Sequence, residues 1–254
     1  NNDVDCLNDH PVATGLRHHG RDRVGGTTID RAPANFTILR NTCTGTANGI
    51  NFQLTQGMHV ERNLVDSSGG RGIGGPGNAT FTAVNNEVRG VQVGIRTSAF
   101  GGNLDLGGNA LIQDNHVEAQ ITGIDLGRQY DSTVENNTIS DGLFGVVLFR
   151  GANNITVRGN HITDAFLEGL RVEQGASNSL FEDNLIENSG FGVEVHPGSN
   201  NNVYRGNYFI NNASVGMIFY GDTSGNTVVD NWIGTDESLT DKGNGYYGIY
   251  LGGF

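Results

Sequence analysis

The sequence predicts an all-β fold, a right-handed parallel β-helix solenoid of about 9–10 coils with an internal asparagine ladder. Three observations predict it. Asparagine recurs in an apolar-x-x-Asn-x-apolar frame at Asn41, Asn63, Asn86, Asn115, Asn137, Asn160, Asn184, Asn207 and Asn231, with gaps of 22, 23, 29, 22, 23, 24, 23 and 24 residues. A second marker, glycine followed by an apolar residue, keeps step with it from Gly49-Ile50 through Gly145-Val146 to Gly248-Ile249. The composition agrees: 40 glycines disfavour long helices by roughly 1 kcal/mol per site against alanine, while Val, Ile, Leu and Phe recur regularly enough to bury a face.

Each coil reads as strand, bend, strand. In residues 155–163, alternation sends Ile155, Val157 and Ile162 inward and Thr156, Arg158 and His161 outward. At the bend the asparagine points inward and bonds its equivalents in neighbouring coils, satisfying amides that would otherwise cost about 1–3 kcal/mol each. The asparagine column is therefore structural, and the marker glycine supplies a backbone conformation that a Cβ would hinder. Residues 1–35 are expected to form an irregular N-terminal coil and loop, and residues 36–254 a single β-helix domain. The last strand, within residues 246–254, carries no visible cap, which points to a fragment or subunit of something larger. Residues 16–35 (with His18 and His19), 96–109 and 235–242 lengthen their coils and are expected to form external loops.

With 27 acidic and 15 basic residues the net charge is -12, and Lys242 is the single lysine, which argues against a nucleic-acid partner. No stretch approaches the ~20 apolar residues that span a bilayer. This balance fits an extracellular or cell-surface location. Cys6 and Cys43 either form one disulfide between the first two coils or remain two buried thiols.

Beyond each marker glycine the chain alternates inward and outward. The first outward column reads Asn51, Gly74, Arg96, Asp125, Val147, Arg171, Glu194, Ile218, Tyr250; the second contains Gln53, Ser98, Gly127, Phe149, Glu173, His196 and Tyr220. Strands about 4.8 Å apart, with alternate side chains about 6.8 Å apart, draw Arg171, Glu173, Glu194 and His196 into a small rectangle flanked by Phe149 and Tyr220. Arg171, Glu173, Glu194, His196 and Tyr220 are the catalytic candidates; Arg96, Asp125 and Phe149 are the substrate-binding candidates. Elimination or epimerisation at a uronate needs a base at C5, a cation on the carboxylate and, for elimination, an acid for the leaving oxygen. His196 or Tyr220 would be the base and Arg171 the neutraliser. Hydrolysis would use the Glu173–Glu194 diagonal, about 8 Å and within the broad inverting range. The plainer reading is a pair of cross-strand contacts, Arg171–Glu194 and Glu173–His196, worth about 0.2–1 kcal/mol each. No metal is expected at this site; calcium, held by Asp236, Glu237 and Asp241, is the one cofactor the sequence suggests.

The array over about residues 28–254 resembles the right-handed parallel β-helix repeat proteins of the pectin-lyase-like superfamily. The stretch Asn231-Trp-Ile-Gly-Thr-Asp236, followed by Lys242-Gly-Asn-Gly245, is similar to a coil variant of large surface β-helix proteins. The resemblance implies the fold and a secreted or surface setting, with relatives that include carbohydrate lyases, C5-epimerases, glycosidases and structural proteins. The chain lacks the Asp-Pro-His-Glu/Asp motif of the mannuronan epimerases and the Asn-x-Asp, Asp-Asp, Gly-His-Gly series of the polygalacturonases. Two functions stay open at this point. One is binding, with cleavage or epimerisation, of an acidic polysaccharide or other surface glycan, by lyase or C5-epimerase chemistry ahead of glycoside hydrolysis. The other is a non-catalytic structural, adhesive or fibre-forming role, with self-association through the coil ends.

Overall fold

The structure, a computed structural model, describes residues 14–19, 21–24, 27–30, 35–53, 56–67, 69–75, 79–97 and 107–252. Among them there is no helix. A full rung carries three strands, as in Tyr130–Glu135, Thr138–Ser140 and Phe144–Phe149. The first strands of successive rungs stack into a nine-stranded parallel face from Thr37–Leu39 to Thr227–Val229, so about eight turns separate its ends. The second and third strands belong to one 17-stranded sheet, because Glu87–Arg96 and His116–Gly127 run through the corner without a break. Thr14–His19 joins the third face by pairing in parallel with Asn48–Gln53.

Like residues stack on like along the core. Ile139, Ile162 and Ile186 are register partners on the second face, and Val146, Leu170, Val193 and Met217 on the third, all fully buried. Phe181 stacks on Tyr204 at 4.7 Å, and Tyr204 meets the edge of Phe219 at 5.6 Å.

The asparagine ladder forms as expected. Asn160 is buried; its Oδ1 accepts from both the backbone N and the Nδ2 of Asn137 at 3.0 and 2.9 Å. Its own Nδ2 donates to Asn184 Oδ1 and to the Val134 carbonyl, each at 2.9 Å. The residue just before the ladder turns the corner with positive φ, 55° at Asn136 and 53° at Asp183, which suits the Asn, Asp and Gly found at seven of the nine positions; Arg40 and Arg62 adopt it too, at 55° and 53°. The other two corners carry shorter polar stacks, Ser189–Asn212–Asn244 and Ser179–Asn202–Asn226, in which a side-chain oxygen caps the backbone N of the preceding rung.

The marker glycines have a reason other than an unusual φ. A Cβ on Gly145 would lie 2.3 Å from Ile162 Cγ2 and 2.5 Å from the Gly169 carbonyl oxygen. Close approach of adjacent rungs, rather than backbone conformation, therefore excludes a side chain here. Cys43 is buried in the core, while Cys6, Ser98 and residues 99–106 of the expected loop lie outside the described residues, as do the side chains of His18, His19 and Gln53.

Candidate functional site

The third face brings the candidates together. Register pairing places Arg96, Asp125, Val147, Arg171, Glu194, Ile218 and Tyr250 on successive rungs of one column, as the alternation predicts. Facing away from the core is not the same as being exposed: Asp125 is 8% and Glu194 5% accessible. Longer neighbours close over them. Arg96 Nε reaches Asp125 at 3.2 Å, and the Tyr220 hydroxyl donates to Glu194 at 3.0 Å.

The ion pairs differ from those expected. Arg171 and Glu194 are register partners, but the guanidinium turns along its own strand. Its Nε and Nη2 donate to Glu173 Oε2 at 3.0 and 2.9 Å, and its Nη1 to Glu168 Oε1 at 3.3 Å. His196 lies not against Glu173 but against Glu194, with Nε2 at 3.1 Å from Oε2. That nitrogen is buried and the contact lacks hydrogen-bond alignment. The His196 and Tyr220 rings are 5.2 Å apart. On the hydrolytic diagonal, Glu173 accepts from Arg171 and Glu194 from the Tyr220 hydroxyl.

Two residues of the cluster, Glu168 and Arg71, escape the alternation argument. Both stand immediately before a marker glycine, in a column that reads Asn48, Arg71, Val93, Thr122, Phe144, Glu168, Phe191, Val215, Tyr247. Strict alternation would send these residues inward. The corner at the glycine breaks it, so Glu168 and Arg171, three residues apart, meet on the outside. The signal was present, since Glu168 is the one acid in that column.

Burial first, then the hydrogen bond and charge of Glu194, push Glu168 up to about 8 against the pull of Arg171. Burial would raise Glu194 too, but contacts from His196, Glu168 and Tyr220 outweigh it and hold that carboxyl below its usual range. At neutral pH the pair thus carries one proton, on Glu168. Burial and the charge of Glu194 push Tyr220 up to about 12, so its proton stays in place. Glu168, Glu194 and His196 bring ligand atoms within 4.8 Å of one another, the one such trio among the described residues. The Arg171 guanidinium contacts the Glu168 carboxyl of this trio at 3.3 Å. In the loop suggested for calcium, Asp236 Oδ1 accepts from the Ser238 and Thr240 backbones, and Glu237 accepts from the Tyr208 hydroxyl.

One rung toward the N-terminus lies a pocket of about 230 Å³ lined by Thr122, Asp125, Phe144, Val147, Phe149, Arg171 and Glu173. Arg171 sits over the Phe144 ring at 5.0 Å and Arg150 over Phe149 at 5.3 Å, which fixes both rings. Burial pushes Asp125 up to about 6 against the charges of Arg96, Arg71 and Arg150. The pocket therefore joins the substrate-binding candidates Asp125 and Phe149 to the catalytic candidates Arg171 and Glu173, while Arg96 contacts Asp125 without lining it.

Comparison with known proteins adds the following. The family model described as right handed beta helix region matches residues 30–186 and 101–233. The A-module of the Azotobacter vinelandii mannuronan C-5 epimerase AlgE6 superposes with a TM-score of 0.65 at 20% identity, over 78% of this chain and 58% of that one. The AlgE4 A-module from the same organism gives 0.58 at 13% identity, over 95% of this chain and 75% of that one. The chain thus spans 58% of the length of the AlgE6 module. No curated protein matches the chain in sequence. At these identities the likeness to the two modules is one of fold.

Proposed function

The chain belongs to the right-handed β-helix family, and from that premise we propose that it acts outside the cell on an acidic polysaccharide, moving the C5 proton of a uronate unit at the third face. The observation that carries this reading is the buried Glu168–Glu194 pair, set beside His196, Tyr220 and Arg171 at the end of an aromatic-walled pocket. Arg171 would meet the sugar carboxylate and stabilise the charge that grows on it as the C5–H bond breaks. His196 would accept the proton, with Glu194 behind it to orient the ring and stabilise the imidazolium. Tyr220, which keeps its proton at neutral pH, would donate to the leaving oxygen in elimination or to C5 in epimerisation. The naming of both similar structures as mannuronan C-5 epimerase modules supports a polyuronate as the substrate class.

The test incubates the chain with alginate, pectate, hyaluronan and a neutral glycan, and follows unsaturated-uronate absorbance and C5 inversion by NMR. Either signal on an acidic polymer is the expected result; neither signal, with no binding, overturns the reading. A second reading is favoured by one observation. The last described rung exposes Val228, Ile249 and Leu251, at 37%, 45% and 77%, around a pocket of about 330 Å³. A non-catalytic solenoid that associates through its coil ends would show a light-scattering mass that grows with concentration.

A further inference from the structure

We infer that Glu168, Glu194 and His196 form a site for one divalent transition-metal cation of the zinc class. The inference goes beyond the polysaccharide reading: the site stands on its own geometry, and only its effect on turnover rests on that reading. The three residues come from two adjacent rungs of the third face. Glu168 opens the strand Glu168–Val172, Glu194 lies within Phe191–Val195, and His196 follows that strand's end, where its backbone N donates to the Val172 carbonyl at 2.8 Å. Side chains carried by paired strands are held at fixed separations. One ligand atom of each residue lies within 4.8 Å of the other two. Donors around an ion with bonds of about 2.1 Å stand roughly 3.0–3.4 Å apart along an edge and about 4.2 Å apart across the sphere. Shifts of about half an ångström therefore close the trio on one ion.

His196 differs from the other paired histidines. The side chains of His59, His116 and His161 are 39%, 47% and 43% exposed, and each lies within hydrogen-bond distance and alignment of one glutamate, at 2.9, 3.1 and 2.8 Å. That of His196 is 24% exposed, and its Nε2 faces Glu194 Oε2 at 3.1 Å out of hydrogen-bond alignment, with the Glu168 carboxyl as a second neighbour. A neutral imidazole with its proton on Nδ1 turns the Nε2 lone pair toward these oxygens. A cation held between them converts that repulsion into three bonds, and the 3.1 Å separation already matches an edge of its coordination sphere.

The surrounding contacts fit a second shell. The Tyr220 hydroxyl donates to Glu194 Oε1 at 3.0 Å, which leaves Oε2 toward the imidazole. Arg171 gives its shorter bonds, 3.0 and 2.9 Å, to Glu173 and reaches Glu168 only at 3.3 and 3.4 Å. Two carboxyl groups, each on a residue 5% accessible, thus share a guanidinium that is engaged mainly elsewhere, and a divalent ion supplies the balancing charge. Imidazole joined to carboxylate suits zinc or cobalt, whereas calcium and magnesium take oxygen donors. Both carboxyl groups ligate in the ionised form, so the cation takes the place of the proton they share without it. It also occupies the imidazole nitrogen that would receive the C5 proton, so metal binding and the proposed reaction exclude each other.

Calorimetric titration of the chelator-treated whole chain with zinc chloride, and visible absorption on titration with cobalt chloride, test the site. The expected result is one tight equivalent, a melting temperature that rises with zinc, and cobalt bands stronger than those of the hydrated ion, with neither calcium nor magnesium acting at the same concentration. His196→Ala and Glu168→Gln should each weaken zinc binding by at least about 100-fold, and Tyr220→Phe, which removes a bond to a ligand, by about 10-fold. Glu168→Gln keeps a donor toward Glu194, so it decides the matter if His196→Ala fails to fold. Zinc that binds equally well to the wild type and to both ligand variants is held by the exposed histidines and overturns the site. A wild-type chain that binds no zinc overturns it as well, and neither result touches the polysaccharide reading. Zinc at the site should abolish C5 proton transfer, and EDTA should restore it. Undiminished turnover at full occupancy would overturn the competition for His196. If zinc binds as expected and no C5 chemistry appears with or without it, the site stands and only the proposed reaction falls.

Discussion

Glu168 and Glu194 stand on neighbouring rungs with carboxyl oxygens within 4.8 Å of each other, and each residue is 5% accessible. Two carboxyl groups held this closely cannot both ionise cheaply, so the pair divides its titration: one member moves up and the other down.

That division predicts how stability depends on pH. The folded Glu168 keeps a proton that the unfolded chain has lost, so its contribution is complete below the ordinary carboxylate range and disappears as pH rises through about 8. Glu194 works at the other end: its contribution is present above the ordinary range and is lost as pH falls through its lowered pKa. The melting temperature followed by circular dichroism should fall between about pH 5 and about pH 8 and level off above that. Glu168→Gln keeps a donor toward Glu194 and cannot ionise, so it should flatten that slope. An unchanged slope would show that the pair is not its source.

The chemistry makes a separate prediction. His196→Ala should lower C5 proton transfer by roughly 10²- to 10⁴-fold with little change in melting temperature, because the ring is partly exposed and its contact with Glu194 is not an aligned hydrogen bond. Tyr220→Phe should reduce turnover more than substrate affinity, since the hydroxyl acts in the proton transfer. Equal losses in melting temperature and activity for both variants would instead assign these residues to stability.

The ladder predicts a cost that depends on position. Asn160→Ala strands the amide groups of Asn137 and Asn184 and the Val134 carbonyl, and should destabilise the chain by about 1–3 kcal/mol in urea unfolding. Asn231, partly exposed in the last described rung that bears a ladder residue, can exchange its lost bonds for water, so Asn231→Ala should cost less. Equal costs would mean that desolvation does not set the ladder's contribution.

Tyr204 predicts the reverse sign. Its hydroxyl is buried without a hydrogen-bond partner while its ring stacks on Phe181. Tyr204→Phe keeps the stack and removes the unsatisfied group, so it should leave stability unchanged or raise it by about 1 kcal/mol. A loss of more than about 1 kcal/mol would reveal a bonded hydroxyl, such as one held by an internal water.

By itself the sequence determined the solenoid, the inward asparagines and the outward column through Arg96, Asp125, Arg171 and Glu194, because a period demands that equivalent residues of every rung take the same angular position. The tertiary structure decided who meets whom on that face. Cα register makes Glu194 the partner of Arg171, yet the guanidinium chooses Glu168 and Glu173, because side-chain reach along the strand brings those carboxylates nearer than the cross-strand one. It also decided the membership of the site: Glu168 and Arg71 precede the marker glycines, where the corner suspends alternation, and no period of two could place them. Burial was decided there as well. Asp125 and Glu194 face away from the core, as the pattern says, but lie beneath Arg96 and Tyr220, and that desolvation is what moves Asp125 up and lets Glu194 share a proton with Glu168.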